Sequence, residues 1–357
     1  MSSEQAVYRI LDVAANRAAE GLRTVEEFVR FALDDPQLVE QAKAMRHGLA
    51  AAVARLPRAK LLSARDTLGD VGTEISLASE RSRPGIEAVV VAALARVQQS
   101  LRCIEEYGKT VVPEMAAEVE RIRYQIYTFG RQVELSMHRR QSLADAKLYV
   151  LIDILEEPEL WRQRIVELAA AGADLIQIRD KAVSDRLLWE RCQMAVEAVR
   201  SANVPSCRLI INDRADIAAA VDADGVHVGQ DELPVEAVRR IVGDDKLIGL
   251  STHSIEQARE AVRVGADYIG CGPTFPSRTK TFEQFPGVEF LRQVAREIEL
   301  PAFAIGGIDL ERLPEVIASG VGRIAVSGAV WNQADVVGAV RGLRRLLDAV
   351  TSSEAES

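Results

Sequence analysis

In the stretch LIINDRADIAAAVDADGVHVGQD, Leu209 to Asp231, two strand-like runs each end in acids and amides. Leu209-Ile210-Ile211 runs into Asn212-Asp213-Arg214, and Gly225-Val226-His227-Val228 runs into Gly229-Gln230-Asp231. In a parallel α/β barrel both strand ends point to the face where sites are built. Asp213 and Asp231 would then sit near each other with an amide alongside, oxygen ligands of the kind that suits Mg²⁺ with substrate phosphates. Asp and Asn are also favoured as helix N-caps, so either carboxylate alone could serve that purpose instead.

Other strand ends carry groups for anions. Gln177, Arg179 and Lys181 alternate in IQIRDK, and alternate strand residues share a face. An amide, a guanidinium fork and an ammonium projecting together suit a diphosphate; a solvated Arg-Asp-Lys pairing is the alternative. Gly249 to Ser254 supplies hydroxyls, Ser251 among them, and His253. His253 and His227 could each act as a general base or simply be hydrogen-bonded in place. The segment Gly272 to Phe282, with two prolines, several hydroxyls, Arg278 and Lys280, reads as a lid over an anionic substrate. Gly306-Gly307 and Ser327-Gly328 put glycine amides after two successive strands, where barrels of this kind often bind phosphate.

Eight short Val/Ile/Leu-rich runs must position these groups: LYVLID, ADLIQIRD, RLIIND, DGVHVG, KLIGLST, DYIGCG, PAFAIGG and RIAVSG, starting at Leu148. Such runs are expected of strands covered on both faces. Helical patterns separate them, at about 158–171, 184–202, 215–220, 234–241, 254–264, 288–298, 310–319 and 333–350. The reading is a (β/α)₈ barrel over 148–357. An open doubly wound sheet would place glycines after its first strand, where this chain has Ile152-Asp153-Ile154.

Residues 1–138 read as all-α. Tyr8, Leu11, Ala15, Ala18, Leu22, Val25 and Phe28 make one apolar stripe, so a helix is expected from about 6 to 33, broken at Asp34-Asp35-Pro36. An internal repeat follows: Glu20 to Phe28 (EGLRTVEEF) matches Gln99 to Tyr107 (QSLRCIEEY), Arg17 matches Arg96, and Ala44 to His47 corresponds loosely to Arg121 to Tyr124. Two helical hairpins in a pseudo-symmetric bundle are expected. Between the copies, Ser63 to Glu74 reads as a structured loop. Arg17, Arg23, Arg65, Arg96 and Arg102 could form an anion site or pair with the glutamates of the repeats. Residues 139–147 read as the linker.

The 357 residues are 48% apolar and 27% charged, as in ordinary globular chains. Residues 1–140 carry 20 Lys and Arg against 19 Asp and Glu, and the remainder 24 against 34. Neither half suggests nucleic-acid binding. No stretch is apolar enough to span a membrane, and the N-terminus lacks a signal-peptide pattern. Cys103, Cys192, Cys207 and Cys271 show no metal or CxxC spacing and read as free thiols of a cytoplasmic protein.

LYVLID, IQIRDK, LIINDRADIA, DGVHVGQD, GLSTHS, GPTFPSRTK, AIGGI and VSG, in this order, resemble the thiamine-phosphate synthase family over about 147–350. The N-terminal half resembles a helical extension fused to some bacterial members. The resemblance implies a (β/α)₈ barrel that joins a hydroxymethylpyrimidine diphosphate to a thiazole phosphate, releasing diphosphate with Mg²⁺ as cofactor. It implies Asp213 and Asp231 as metal ligands, and Gln177, Ile178, Arg179, Asp180, Lys181, Asn212, Ser251 and Lys280 around the pyrimidine diphosphate. It implies Ser277, Arg278, Thr279, Gly307, Val326 and Ser327 around the thiazole phosphate. Arg179, Lys181, Lys280 and Ser251 would carry the catalysis. Thr281-Phe282 departs from the family, many members having a charged residue after the lysine. Small-molecule substrates are the expected partners, and homo-oligomerisation is left open. The alternatives are a thiazole-tautomerase type of barrel without coupling, and a regulatory or binding role for the N-terminal module.

Overall fold

The computed structural model describes residues 2–66, 82–276 and 286–354, with side chains through 349. The chain forms two compact units, residues 1–137 and 138–357.

The first unit is helical: α1 (Ser3–Phe31), α2 (Pro36–Val53), α3 (Arg58–Ala64), α4 (Ile86–Gly108) and α5 (Pro113–Ser142). The expected break is real. Asp34 takes a left-handed backbone, φ 46°, and the Asp35 carboxylate caps α2 by accepting from the Gln37 and Leu38 N–H groups. The repeat is realised atom for atom. Glu26, buried on α1, accepts from Arg46 Nε on α2 at 2.7 Å and from Arg23 at 3.3 Å. Glu105, buried on α4, accepts from Arg123 Nε on α5 at 2.7 Å and from Arg102 at 2.8 Å. Arg65 grips Asp12 with two bonds of 2.8 Å. Arg23, Arg65 and Arg102 are therefore committed to carboxylates, the pairing alternative rather than the anion site. Most of the loop expected between the copies lies outside the described residues.

In the second unit, eight parallel strands close into a barrel in chain order. They are β1 (Leu148–Ile152), β2 (Leu175–Ile178), β3 (Arg208–Asn212), β4 (Gly225–Val228), β5 (Leu247–Thr252), β6 (Tyr268–Cys271), β7 (Ala302–Ile305) and β8 (Ile324–Val326). Val150, Ile152, Ile176 and Ile178 point outward into the layer between sheet and helices. Tyr149, Leu151, Leu175, Ile210, Leu247, Tyr268, Phe303 and Ala325 fill the interior. Glycine makes room for the aromatics: a Cβ at Gly249 would collide with both the Tyr268 ring and His227. Helices α6 (Pro158–Ala171), α7 (Asp185–Ser201), α8 (Ala215–Ala220), α9 (Val235–Val242), α10 (Ile255–Arg263), α11 (Gly287–Glu297) and α12 (Leu313–Ile317) alternate with the strands. A four-residue helix, α13 (Gly328–Trp331), follows β8 where no helix was expected, before α14 (Val336–Glu354).

An aspartate before each of three even-numbered strands ties down the start of the strand before it. Asp174 accepts from the Lys147 and Leu148 N–H groups at 2.7 and 2.9 Å. Asp224 accepts from Leu209 N–H at 2.8 Å, and Asp267 from Ile248 N–H at 2.8 Å. At this end the expected linker 139–147 is helical to Ser142. Arg139 Nε donates to Asp267 at 2.7 Å. Leu143 and Ala146 are buried in the cluster that fills the barrel. Arg323 donates to the Leu143, Ala144 and Ala146 carbonyls. Residues 138–147 thus close the bottom of the barrel.

Candidate active site

The other end of the barrel, where β1 to β8 finish, gathers the groups singled out in the sequence. β2 carries Gln177 into the interior, its amide donating to the Tyr149 hydroxyl at 2.5 Å. Arg179 and Lys181 lie beyond the strand end, on the loop. The alternation therefore holds for Gln177, while Arg179 and Lys181 are placed by the turn. The Asp180 carboxylate shapes that turn by accepting from Ala182 N–H at 2.9 Å and Ile154 N–H at 3.3 Å. Ile178 packs its side chain into the outer core, which leaves only its backbone to face a ligand. No ion pair to Arg179 occurs among the described residues, and its half-buried guanidinium is available to an anion.

Lys181 reports the electrostatics. Its ammonium lies 2.8 Å from Asp213 Oδ2 and 3.2 Å from Glu232 Oε1. Hydrogen bonding to Asp213 raises the Lys181 pKa above the ordinary lysine value, so the group is cationic. Asp213 itself has a left-handed backbone, φ 61°, uncommon outside glycine. Its N–H donates to the His227 carbonyl at 2.8 Å, and the turn aims its carboxylate along the mouth of the barrel. Asp213 is not the cap of the following helix: the position before α8 (Ala215–Ala220) is Arg214, with no side-chain cap bond.

Glu232 was not among the residues expected from the sequence. It is half-buried and folds back over Gly229, whereas Asp231 is exposed. Two carboxylates, Asp213 and Glu232, thus converge on one cation. Position alone could not separate Asp231 from Glu232, because side-chain direction after a strand end follows the turn and not the strand's alternation. Among the described residues no group of three or more His, Cys, Asp or Glu side chains could hold a metal. A divalent ion here would need its remaining oxygens from substrate and water, the usual arrangement for Mg²⁺.

Across the mouth, Ser251 at the end of β5 bonds His227 Nε2 at 3.0 Å. Its carbonyl accepts from the Gln230 amide at 2.6 Å. Asn212 ends β3 beside His227 in register. Burial pushes the His227 imidazole down to about 4, so it is neutral near pH 7. His253, by contrast, is exposed, and its ring bonds the Gly272 carbonyl; it is a hydrogen-bonded loop histidine. Gly306 and Gly307 have φ of 105° and 63°, and a Cβ on Gly307 would meet the Pro276 carbonyl at 2.8 Å. Only glycine fits this turn. Val326 is buried in the outer core, so it too can contribute only backbone. Ser327 makes no side-chain cap to α13. Ser277, Arg278, Thr279 and Lys280 lie outside the described residues.

A family model described as thiamine monophosphate synthase matches residues 148–330, and a model described as the ThiD2 family matches residues 9–132. The thiamine-phosphate synthase of Rhodopirellula baltica is 51% identical over 98% of this chain and 95% of its own. That of Synechocystis is 40% identical over 92% and 93%. The solved thiamine phosphate pyrophosphorylase of Pyrococcus furiosus shares 34% identity with a TM-score of 0.51, covering 59% of this chain and 98% of that one. Arginine, lysine, paired carboxylates and a glycine turn stand at one barrel mouth, in a chain this similar to those enzymes over nearly its whole length. The chain belongs to the thiamine monophosphate synthase family and is a transferase of thiamine biosynthesis.

Proposed function

We propose that the barrel condenses 4-amino-2-methyl-5-(diphosphooxymethyl)pyrimidine with 4-methyl-5-(2-phosphooxyethyl)thiazole, giving thiamine phosphate and diphosphate. The observation that carries this reading is the cluster at β2 to β4: the Arg179 guanidinium, and the Lys181 ammonium held between Asp213 and Glu232. That arrangement matches a leaving diphosphate and the cation that accompanies it. Lys181 occupies the position of such a cation, which argues that the carboxylates fit Mg²⁺. Asp213 with Glu232, or with the neighbouring Asp231, would hold it; bound there, Mg²⁺ supplies Lewis-acid neutralisation of diphosphate charge.

The protein's own part is electrostatic. As the pyrimidine's methylene carbon parts from its diphosphate, negative charge develops on the leaving oxygens. Arg179 takes up that charge through a bidentate fork and Lys181 as a point charge. Gln177, Asn212 and Ser251 hold the pyrimidine ring, so that the methylene faces the thiazole nitrogen that attacks it. Backbone amides at Gly307 and Ser327 hold the thiazole phosphate. Loss of diphosphate before attack explains why no covalent nucleophile is needed. Cys192, Cys207 and Cys271 are buried, and burial pushes all three thiols up to about 12, which makes them poor nucleophiles. Lys280 completes the diphosphate grip in this reading, and the cytoplasm is the proposed compartment. Among the described residues no helix is long and apolar enough to cross a membrane.

The decisive test mixes the purified full chain with both substrates and Mg²⁺ and assays thiamine phosphate and diphosphate. Absence of both products would sink the reading. Arg179→Ala and Asp213→Ala are each expected to lower turnover by about a hundredfold or more with unchanged circular dichroism. Near-normal turnover in either variant contradicts the role of the residue replaced.

A further inference from the structure

Five polar side chains form one continuous hydrogen-bonded chain through the barrel interior, between two groups at the catalytic mouth. Ser251 Oγ lies 3.0 Å from His227 Nε2, and His227 Nδ1 lies 3.3 Å from the Tyr268 hydroxyl. The Tyr268 hydroxyl lies 3.0 Å from that of Tyr149, which accepts from the Gln177 amide at 2.5 Å. His227, Tyr268, Tyr149 and Gln177 are buried, so the two tyrosine hydroxyl hydrogens and the imidazole hydrogen need partners inside the chain.

With the Gln177 amide as donor to Tyr149, counting protons gives the direction of the rest. Each hydroxyl has one hydrogen, and a neutral imidazole has one N–H and one acceptor nitrogen. Because Gln177 donates to Tyr149, the Tyr149 hydrogen must go to Tyr268, its remaining partner among the described residues. The opposite choice would leave a buried O–H unsatisfied. Tyr268 must then donate to His227 Nδ1, and the imidazole hydrogen sits on Nε2, directed at Ser251. Among the described residues no partner remains for the Ser251 hydrogen or for the Gln177 carbonyl oxygen. Burial supports the count: it keeps both tyrosines protonated.

We propose that His227 is a positioning residue whose Nε2–H tautomer sets the donor–acceptor polarity of this chain, so that Ser251 offers an O–H and Gln177 an oxygen to the substrate ring. The proposal rests on the aminopyrimidine reading above. An aminopyrimidine edge pairs a ring nitrogen that accepts with an exocyclic amine that donates, the complement of those two groups. The reversed chain, with hydrogen on Nδ1, would turn the Gln177 NH₂ toward the amine, donor against donor. His227 therefore selects an amino over an oxo substituent without touching either.

The tautomer is read directly from nitrogen-15 shifts of the full chain labelled at histidine. The chain has four histidines, and His227→Gln identifies the resonance. A neutral ring protonated on Nε2, with and without the aminopyrimidine diphosphate, is the expected result. Protonation on Nδ1, or on both nitrogens near neutral pH, overturns the proposal. In kinetics, His227→Phe is expected to raise the KM for the pyrimidine diphosphate about tenfold and leave that for the thiazole phosphate unchanged. His227→Gln, which keeps an N–H near the Nε2 position, should recover most of the loss. Equal effects on both substrates, or no rescue, argue against it. Should His227→Phe fail to fold, the nitrogen spectrum of the native chain decides. If the native chain makes no thiamine phosphate, the substrate reading fails while the tautomer is still measured.

Discussion

Which carboxylate would join Asp213 in holding the proposed Mg²⁺ turns on a single position. Asp231 and Glu232 are adjacent, both acidic and both past the end of β4, and the sequence singles out the first of them. The structure shows Asp213 and Glu232 on one ammonium, with Asp231 exposed. The placement of much of the candidate site was legible one residue at a time, because a strand fixes side-chain direction: Gln177, Asn212 and Ser251 stand on or at the ends of β2, β3 and β5. What was not legible lies in turns, where direction depends on backbone angles no pattern declares, such as the left-handed Asp213. The same difference orders three variants. Asp213→Asn and Glu232→Gln should each raise the Mg²⁺ concentration for half-maximal activity by about tenfold or more, and Asp231→Asn by clearly less. Magnesium titrations of the three variants check this, and an Asp231 effect larger than that of Glu232 would make Asp231 the ligand, as the sequence reading has it.

Strands and helices were legible as elements because the barrel's alternation of buried runs with amphipathic helices is strong; α8 spans Ala215–Ala220 as expected. The short α13 was missed because four residues cannot show a helical period. Less visible was what pins the strand starts. Asp174 and Asp267 stand in the helix-to-strand turns 171–174 and 264–267, where no pattern marks them, yet both cap neighbouring strands. Asp267 is the most constrained. Burial alone would push its pKa up, but the Arg239 and Arg139 guanidiniums outweigh burial and hold it below the ordinary value. A folded pKa below the unfolded one adds stability that is complete above about pH 4 and is lost as pH falls through the folded value. Asp267→Asn leaves two guanidiniums facing a neutral amide, and should cost about 3 kcal/mol near neutral pH. Urea unfolding near neutral pH and near pH 3 is the measurement. The variant should lose less stability on acidification than the native chain, and parallel losses would mean that Asp267 does not carry the acid sensitivity.

For the whole molecule, two units were expected and two are found, each with its own hydrophobic cluster. The repeat in the first unit could be read because matched sequence became matched geometry, Glu26 with Arg46 and Glu105 with Arg123. The boundary was harder. A fall in apolar periodicity after residue 138 reads as a linker, but a segment that closes a barrel needs only a few buried contacts and no stripe. Leu143 supplies one such contact, and Arg139 and Arg323 bind the segment by hydrogen bonds. The boundary therefore decides where the chain can be cut. A chain beginning at His138 keeps Arg139 on Asp267 and Leu143 in the barrel. One beginning at Lys147 opens the barrel floor and leaves the Arg323 guanidinium without those three carbonyls. The second should be less stable than the first by roughly 3 kcal/mol or more, from a lost buried leucine and a broken buried ion pair. Thermal unfolding of the two chains makes the comparison. Equal midpoints would mean that residues 138–146 are a tether after all and that the barrel is complete from β1 onward.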